Sequence, residues 1–224
     1  MELFRLKAAF PFQHINVAYL VLCCIAAVTA CHSKKEVLPF YNTPDFTAEW
    51  ITPGDTRFNK IHVIDTFTLH NQLGHLITKD SFDGYIYVAN FFFTTCPGIC
   101  PKMTSNLQSL QNTFADNKRI KLVSFSVMPW IDTVDRLKEY GENHLINPNK
   151  WYLLTGNKER IYNLGRQSYF SERRLGLQKD SSDFLHTESM LLIDKSARIR
   201  GIYNATEKKD IDRVVKNIET LLNE

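Results

Sequence analysis

The sequence predicts an α/β sandwich with a mixed central sheet. Three observations predict it. Apolar, β-rich runs alternate with stretches of helical periodicity from about Ile61 onward. The run "GYIYVANFFF" (84–93) is apolar at successive positions, as in a strand buried on both faces. The chain then closes with two adjacent strand-like segments and one amphipathic helix.

In chain order, "IHVIDTFTL" (61–69) and "GHLIT" (74–78) read as a short hairpin, followed by the 84–93 strand. Met103, Leu107, Leu110 and Phe114 recur at helical spacing and predict a helix over 101–117. The strand "IKLVSFSV" (120–127), a helix over 132–142, the strand "WYLLT" (151–155) and a helix over 158–169 continue the alternation. Asp132 and Asp135 resemble a capping-box start for the second helix. "SMLLID" (189–194) and "RIRGIY" (198–203) form a strand pair around "KSA", and the last helix spans 207–222. The polar stretch 171–184, with Arg173, Arg174 and Lys179, reads as an exposed loop suited to an acidic partner.

A chain of 224 residues, 44% hydrophobic and 23% charged, is long enough for a substantial core and excludes disorder throughout. Its formal charge of +3, without clustered Lys and Arg, argues against nucleic-acid binding. The N-terminus is more informative. Arg5 and Lys7 precede the apolar segment 17–28, a signal-peptide layout too short for an ordinary spanning helix. Thr29 and Ala30 before Cys31 resemble a bacterial lipobox, whose cysteine is lipidated and becomes the new N-terminus; the other reading is an uncleaved signal anchor. Either reading puts the domain outside the cytoplasmic membrane. The expected organisation is a signal peptide (1–30), a lipid-anchored tether with an irregular lead-in (31–59) and the folded domain (60–224).

Five cysteines sort accordingly. Cys23 and Cys24 lie in the removed segment, Cys31 carries lipid, and Cys96 and Cys100 remain in the domain. A disulfide across three residues would restrain little of the unfolded chain, so a purely structural pair is disfavoured. Both cysteines sit where a buried strand meets a helix, with Pro101 suited to the first helical turn. Unpaired amides and the positive end of the helix dipole there stabilise thiolate, the form that binds metal or attacks a disulfide. Pro97 and Gly98 permit a tight turn between them. Two sulfurs leave zinc's usual tetrahedral site half empty, whereas copper(I) accepts lower coordination.

Of the seven histidines, His14 and His32 fall in the signal and tether, and His62, His70, His75 and His144 in ordinary polar stretches. His186 differs by position. It lies between the polar loop and a predicted core strand, where strand ends collect ligands.

"FFFTTCPGICPKMTSNLQSLQ" (91–111), with "FLHTES" (184–189) and "LLIDKSARIRGIY" (191–203), resembles the Sco/SenC family of copper-binding, thioredoxin-like proteins that assist cytochrome c oxidase assembly. The likeness runs from about Leu38 to the C-terminus. It implies a thioredoxin fold with an inserted hairpin, membrane tethering, and copper ligation by Cys96, Cys100 and His186. Two features depart from the family pattern. Gly98 and "SVMPW" (126–130) stand where members commonly carry Asp between the cysteines and in an "SVDPE"-like segment. Met128 is then either a soft copper contact or, in keeping with common Met usage, core packing.

The resemblance implies a copper chaperone, more a carrier than an enzyme, that passes copper ion to an oxidase subunit bearing a copper centre or to another periplasmic copper protein. The alternative is a membrane-tethered thiol–disulfide oxidoreductase, in which one of Cys96 and Cys100 attacks and the other resolves. A general thioredoxin ranks lower, because the spacing is CxxxC and no Pro precedes "SMLLID". So does a peroxiredoxin, because Phe93 stands three before Cys96. An incidental disulfide in a structural or sensory domain is the bland reading.

Overall fold

The computed structural model describes residues 36–171 and 188–224. Seven strands form one mixed sheet. The central strand β5 (Ile86–Phe92) is buried at every position. It pairs in parallel with β6 (Ile120–Ser126), Phe92 opposite Ser126, and β6 in turn with β7 (Trp151–Thr155). On one side the sheet continues antiparallel through β3 (Thr68–Asn71) and β4 (Leu76–Thr78). On the other it continues through β8 (Ser189–Ile193) and β9 (Ile199–Asn204). The order is β4-β3-β7-β6-β5-β8-β9. β1 (Phe40–Tyr41) and β2 (Ala48–Glu49) form a separate two-stranded ribbon.

Among the described residues, four helices flank the sheet: α1 (Cys100–Thr113), α2 (Val134–Asn143), α3 (Lys158–Asn163) and α4 (Lys208–Asn223). The period of two along β5 divides the core. Ile86, Val88 and Phe92 pack with Met103, Leu107 and Leu110 of α1, Leu137 of α2, and Val214 and Ile218 of α4. Tyr87, Ala89 and Phe91 enter a second cluster with Phe125, Tyr169 and Ile161 of α3. Burying each such large side chain is worth ~1.5–3 kcal/mol, so a strand apolar on both faces is held from both sides.

The predicted alternation is observed with shifted ends. The first hairpin is shorter than expected, since 61–67 is not strand, and the 158–169 helix is α3 followed by a π-turn at Leu164–Ser168. The lead-in docks on the domain. Leu38, Phe40 and Ile51 are buried, and Arg200 of β9 donates to the Leu38 and Pro39 carbonyls at 2.7 and 3.1 Å. Among the described residues, no helix is long and apolar enough to cross a membrane.

Parallel pairing of β5, β6 and β7 brings their C-terminal ends to one edge. The chain leaving β5 turns there into α1, which makes that edge the place to look for chemistry.

Candidate functional site

The edge carries the cysteine loop. Phe93 to Ile99 connects β5 to α1, and Pro101 in the first turn loses no hydrogen bond there. α1 is fixed lengthwise by polar ties: Asn106 Nδ2 donates to the Ala205 carbonyl at 2.7 Å, and Gln108 and Gln111 donate to the carbonyls of His144 and Leu145 at 2.9 and 3.1 Å. Cys100, the first residue of α1, is therefore tied to the rest of the domain, while Cys96 stands on the loop before it.

Cys96 and Cys100 are both free and both buried, in the same apolar cluster as Phe92 and Met103. They do not share the same acidity. Burial pushes the Cys96 thiol up, but the hydrogen bond from the Cys100 thiol and those from the N–H groups of Cys100, Gly98 and Ile99 outweigh it. Cys96 is held below the ordinary thiol range. Burial, together with giving its hydrogen bond to Cys96, pushes Cys100 up to about 12, and the negative charges of Cys96 and Asp132 add to the effect. Cys96 is thus the more acidic sulfur of the pair, and Cys100 the one that keeps its proton and donates.

Two neighbours complete the surroundings, and an exposed aromatic stands further along the chain past β6. Asp132, fully buried, accepts from Thr94 and from Ser126 Oγ at 2.5 Å. The Tyr140 hydroxyl lies 2.8 Å from that of Thr104, and burial, with the charges of Cys100, Asp132 and Cys96, pushes it up. Trp130 is 53% exposed on the same edge, with Lys158 Nζ 5.0 Å from its ring centroid. Sequence reasoning took Asp132 for a helix cap. The cap is Thr133, whose hydroxyl accepts from the Arg136 N–H at 3.3 Å, while Asp132 points inward. Met128, given core packing as its common role, is half-buried and outside both apolar clusters. Gly98 has no steric need to be glycine, because a Cβ there would meet nothing within 4 Å.

Of the predicted site residues, Cys96 and Cys100 come together as expected; His186, Cys31 and the basic residues Arg173, Arg174 and Lys179 lie outside the described residues. The described histidines have other surroundings. His62 Nε2 is 2.8 Å from the Ser168 carbonyl, the His144 ring lies tilted against Tyr140 with centroids 4.2 Å apart, and His70 and His75 are exposed. Among the described residues no group of three His, Cys, Asp or Glu is gathered for a metal ion. Two buried soft sulfurs at a helix N-terminus still suit a soft, low-coordinate ion completed by a ligand from elsewhere in the chain.

A mixed sheet flanked by helices, with a reactive cysteine pair between a central strand and the helix after it, defines a thioredoxin-like dithiol protein. The particular family follows from comparison: the SCO1/SenC family model matches residues 55–223, and the chain belongs to that family. Solved structures agree. A SCO1/SenC family lipoprotein from Bacillus anthracis superposes with a TM-score of 0.63 at 27% identity, over 72% of this chain and 95% of that one. BsSco, described with a disulfide switch and as a member of the Sco family of cytochrome c oxidase assembly proteins, gives 0.61 at 27%, over 72% and 94%. Arabidopsis thaliana ScoI with copper bound gives 0.56 at 26%, over 72% and 99%.

Proposed function

We propose that this protein binds copper through Cys96 and Cys100, with His186 as third ligand, and delivers it to the copper centre of a cytochrome c oxidase or another periplasmic copper protein. The observation that carries the reading is the reduced, buried, hydrogen-bonded pair at the start of α1. In a family that includes a copper-bound plant member, that pair has the donor chemistry for copper(I). Low coordination favours transfer, since a recipient's ligands can enter before the donor's leave. Lipidated Cys31 would hold the domain on a membrane of the bacterial cell envelope, outside the cytoplasm, after removal of 1–30, with 31–59 as tether and lead-in. Similarity to a lipoprotein of the same family supports this tethering.

The test is a competitive copper(I) titration of the reduced full chain carrying Cys23→Ser, Cys24→Ser and Cys31→Ser. One tightly bound copper is expected, weakened separately by Cys96→Ser, Cys100→Ser and His186→Ala. Unchanged affinity in Cys100→Ser would remove the dithiolate site, and unchanged affinity in His186→Ala would remove the third ligand.

The acidity difference between the two thiols favours one further reading, thiol–disulfide exchange. The Cys96 thiolate attacks a partner disulfide and releases one partner thiolate. Cys100, losing its proton, then attacks the mixed disulfide, leaving a Cys96–Cys100 disulfide and a partner reduced by two electrons, one proton coming from Cys100 and the other from solvent. Failure of the wild type to compete for copper(I), with rapid reduction of a disulfide substrate, would favour this reading over the first.

A further inference from the structure

The buried carboxylate beneath the cysteine loop is neither ligand nor nucleophile in the chemistry above. Asp132 is 0% exposed. One set of its partners belongs to the sheet: Ser126 Oγ at the end of β6 donates to it at 2.5 Å, and its own N–H donates to the Met128 carbonyl at 2.8 Å. The other set belongs to the loop. The Thr94 N–H donates to both carboxylate oxygens at 3.3 and 3.2 Å, and the Thr94 hydroxyl donates at 2.5 Å. Arg136 Nε donates in turn to that hydroxyl at 2.8 Å and stands 4.0 Å from the carboxylate.

Thr94 is two residues before Cys96, and its hydrogen bonds to Asp132 span 38 positions of sequence. Burying a carboxylate costs several kcal/mol before its partners offset it, and an apolar side chain would fill the space more cheaply. What the carboxylate adds is direction: three donors fix it, and two of them lie on one loop residue.

We propose that Asp132 is the positioning residue of the thiol loop: held just past the end of β6 by its own N–H to the Met128 carbonyl and bound to the loop through Thr94, it sets where the Cys96 and Cys100 sulfurs meet. Held sulfurs have a high effective concentration toward each other and toward a shared ion. Freed from Asp132, the loop loosens and both benefits fall. The copper arm of the test rests on the function proposed above, and the redox arm does not.

The experiment compares Asp132→Asn, Thr94→Val and Ser126→Ala with the wild type, in the full chain with Cys23, Cys24 and Cys31 replaced by serine. Two quantities are read: copper(I) affinity by competition, and the equilibrium between dithiol and disulfide in glutathione buffers. Asp132→Asn is expected to weaken copper(I) at least tenfold and to shift the equilibrium about tenfold toward the dithiol, roughly 30 mV for a two-electron couple. Thr94→Val should move both in the same direction, about threefold or more. Ser126→Ala touches the carboxylate but not the loop, and should stay within twofold on both while unfolding at lower urea.

Values within twofold of wild type for both Asp132→Asn and Thr94→Val would overturn the proposal. So would a Ser126→Ala variant that moves both readouts as far as Thr94→Val, the signature of a merely structural role. If Asp132→Asn does not fold, Thr94→Val decides. If the wild type binds no copper, the functional reading fails and the glutathione equilibrium alone judges Asp132.

Discussion

The Cys100 thiol donates a hydrogen bond to the sulfur of Cys96, and this contact divides the acidity of the pair. Cys96 is held below the ordinary thiol range and Cys100 is raised to about 12, so Cys96 gives up its proton well before Cys100 does as pH rises. Brief iodoacetamide treatment at pH 7.5, followed by peptide mapping, should therefore label Cys96 first. Equal labelling of the two would refute the asymmetry. Serine at Cys96 removes the thiolate that Cys100 faces and should bring the Cys100 reaction down to lower pH.

The hydroxyls of Tyr87 and Tyr169 meet at 3.1 Å inside the second core cluster, and burial pushes both well above the ordinary tyrosine range. A group whose pKa is raised in the folded state contributes stability below its unfolded pKa, about 10 for tyrosine, and loses it as pH rises beyond. Stability should fall from about pH 10 upward. Tyrosinate absorbance from this pair should appear only with unfolding, and its appearance while the near-ultraviolet dichroism is still native would contradict the burial.

Arg200 is the hub of a buried ionic cluster. Its guanidinium reaches Asp194 at 3.2 Å, Glu224 at 2.8 Å and the Leu38 carbonyl at 2.7 Å, and lies 4.1 Å from the Phe40 ring centroid. Arg200→Ala leaves two carboxylates and two carbonyls without their cation. The expected cost is about 3–5 kcal/mol in urea unfolding, with the lead-in released first to proteolysis. A loss under 1 kcal/mol would mean that solvent already reaches the cluster.

Two glycines should respond oppositely to a side chain. At Gly98 a Cβ meets nothing within 4 Å, so Gly98→Asp is expected to change stability by no more than about 0.5 kcal/mol. At Gly201 a Cβ would run into the ring of Tyr203, itself buried and held by Asn217 Nδ2 at 2.7 Å. Gly201→Ala should cost about 1–3 kcal/mol as the ring is displaced. Paired thermal denaturation curves read both at once, and a stability loss at Gly98 matching that at Gly201 would show that the loop is packed more tightly than its exposure indicates.

Much of the fold was legible because its patterns are local. β5 reads as a doubly buried strand from ten residues alone, and Met103, Leu107 and Leu110 mark the inner face of α1 by spacing. Cys96 and Cys100 were legible for the same reason, since four positions separate them at a strand–helix junction. Asp132 was misread because the same short segment also looks like a helix start, and only its distance from Thr94 reveals the difference. One signal was available: a carboxylate shortly after a central strand, at the edge where the parallel strands end.

By itself the sequence determined the order and type of the main elements, the strand buried on both faces, and the junction that holds the two cysteines. Periods of 2 and 3.6 residues encode these things within a few turns of chain. The tertiary structure alone decided that β3 pairs with β7 and β5 with β8, that Arg200 joins the lead-in to the C-terminus, and that Asp132 lies under the thiol loop. Each of these depends on residues far apart in sequence meeting within hydrogen-bond distance. No local period records such a meeting, because it exists only once the packed sheet and helices have fixed both partners in space.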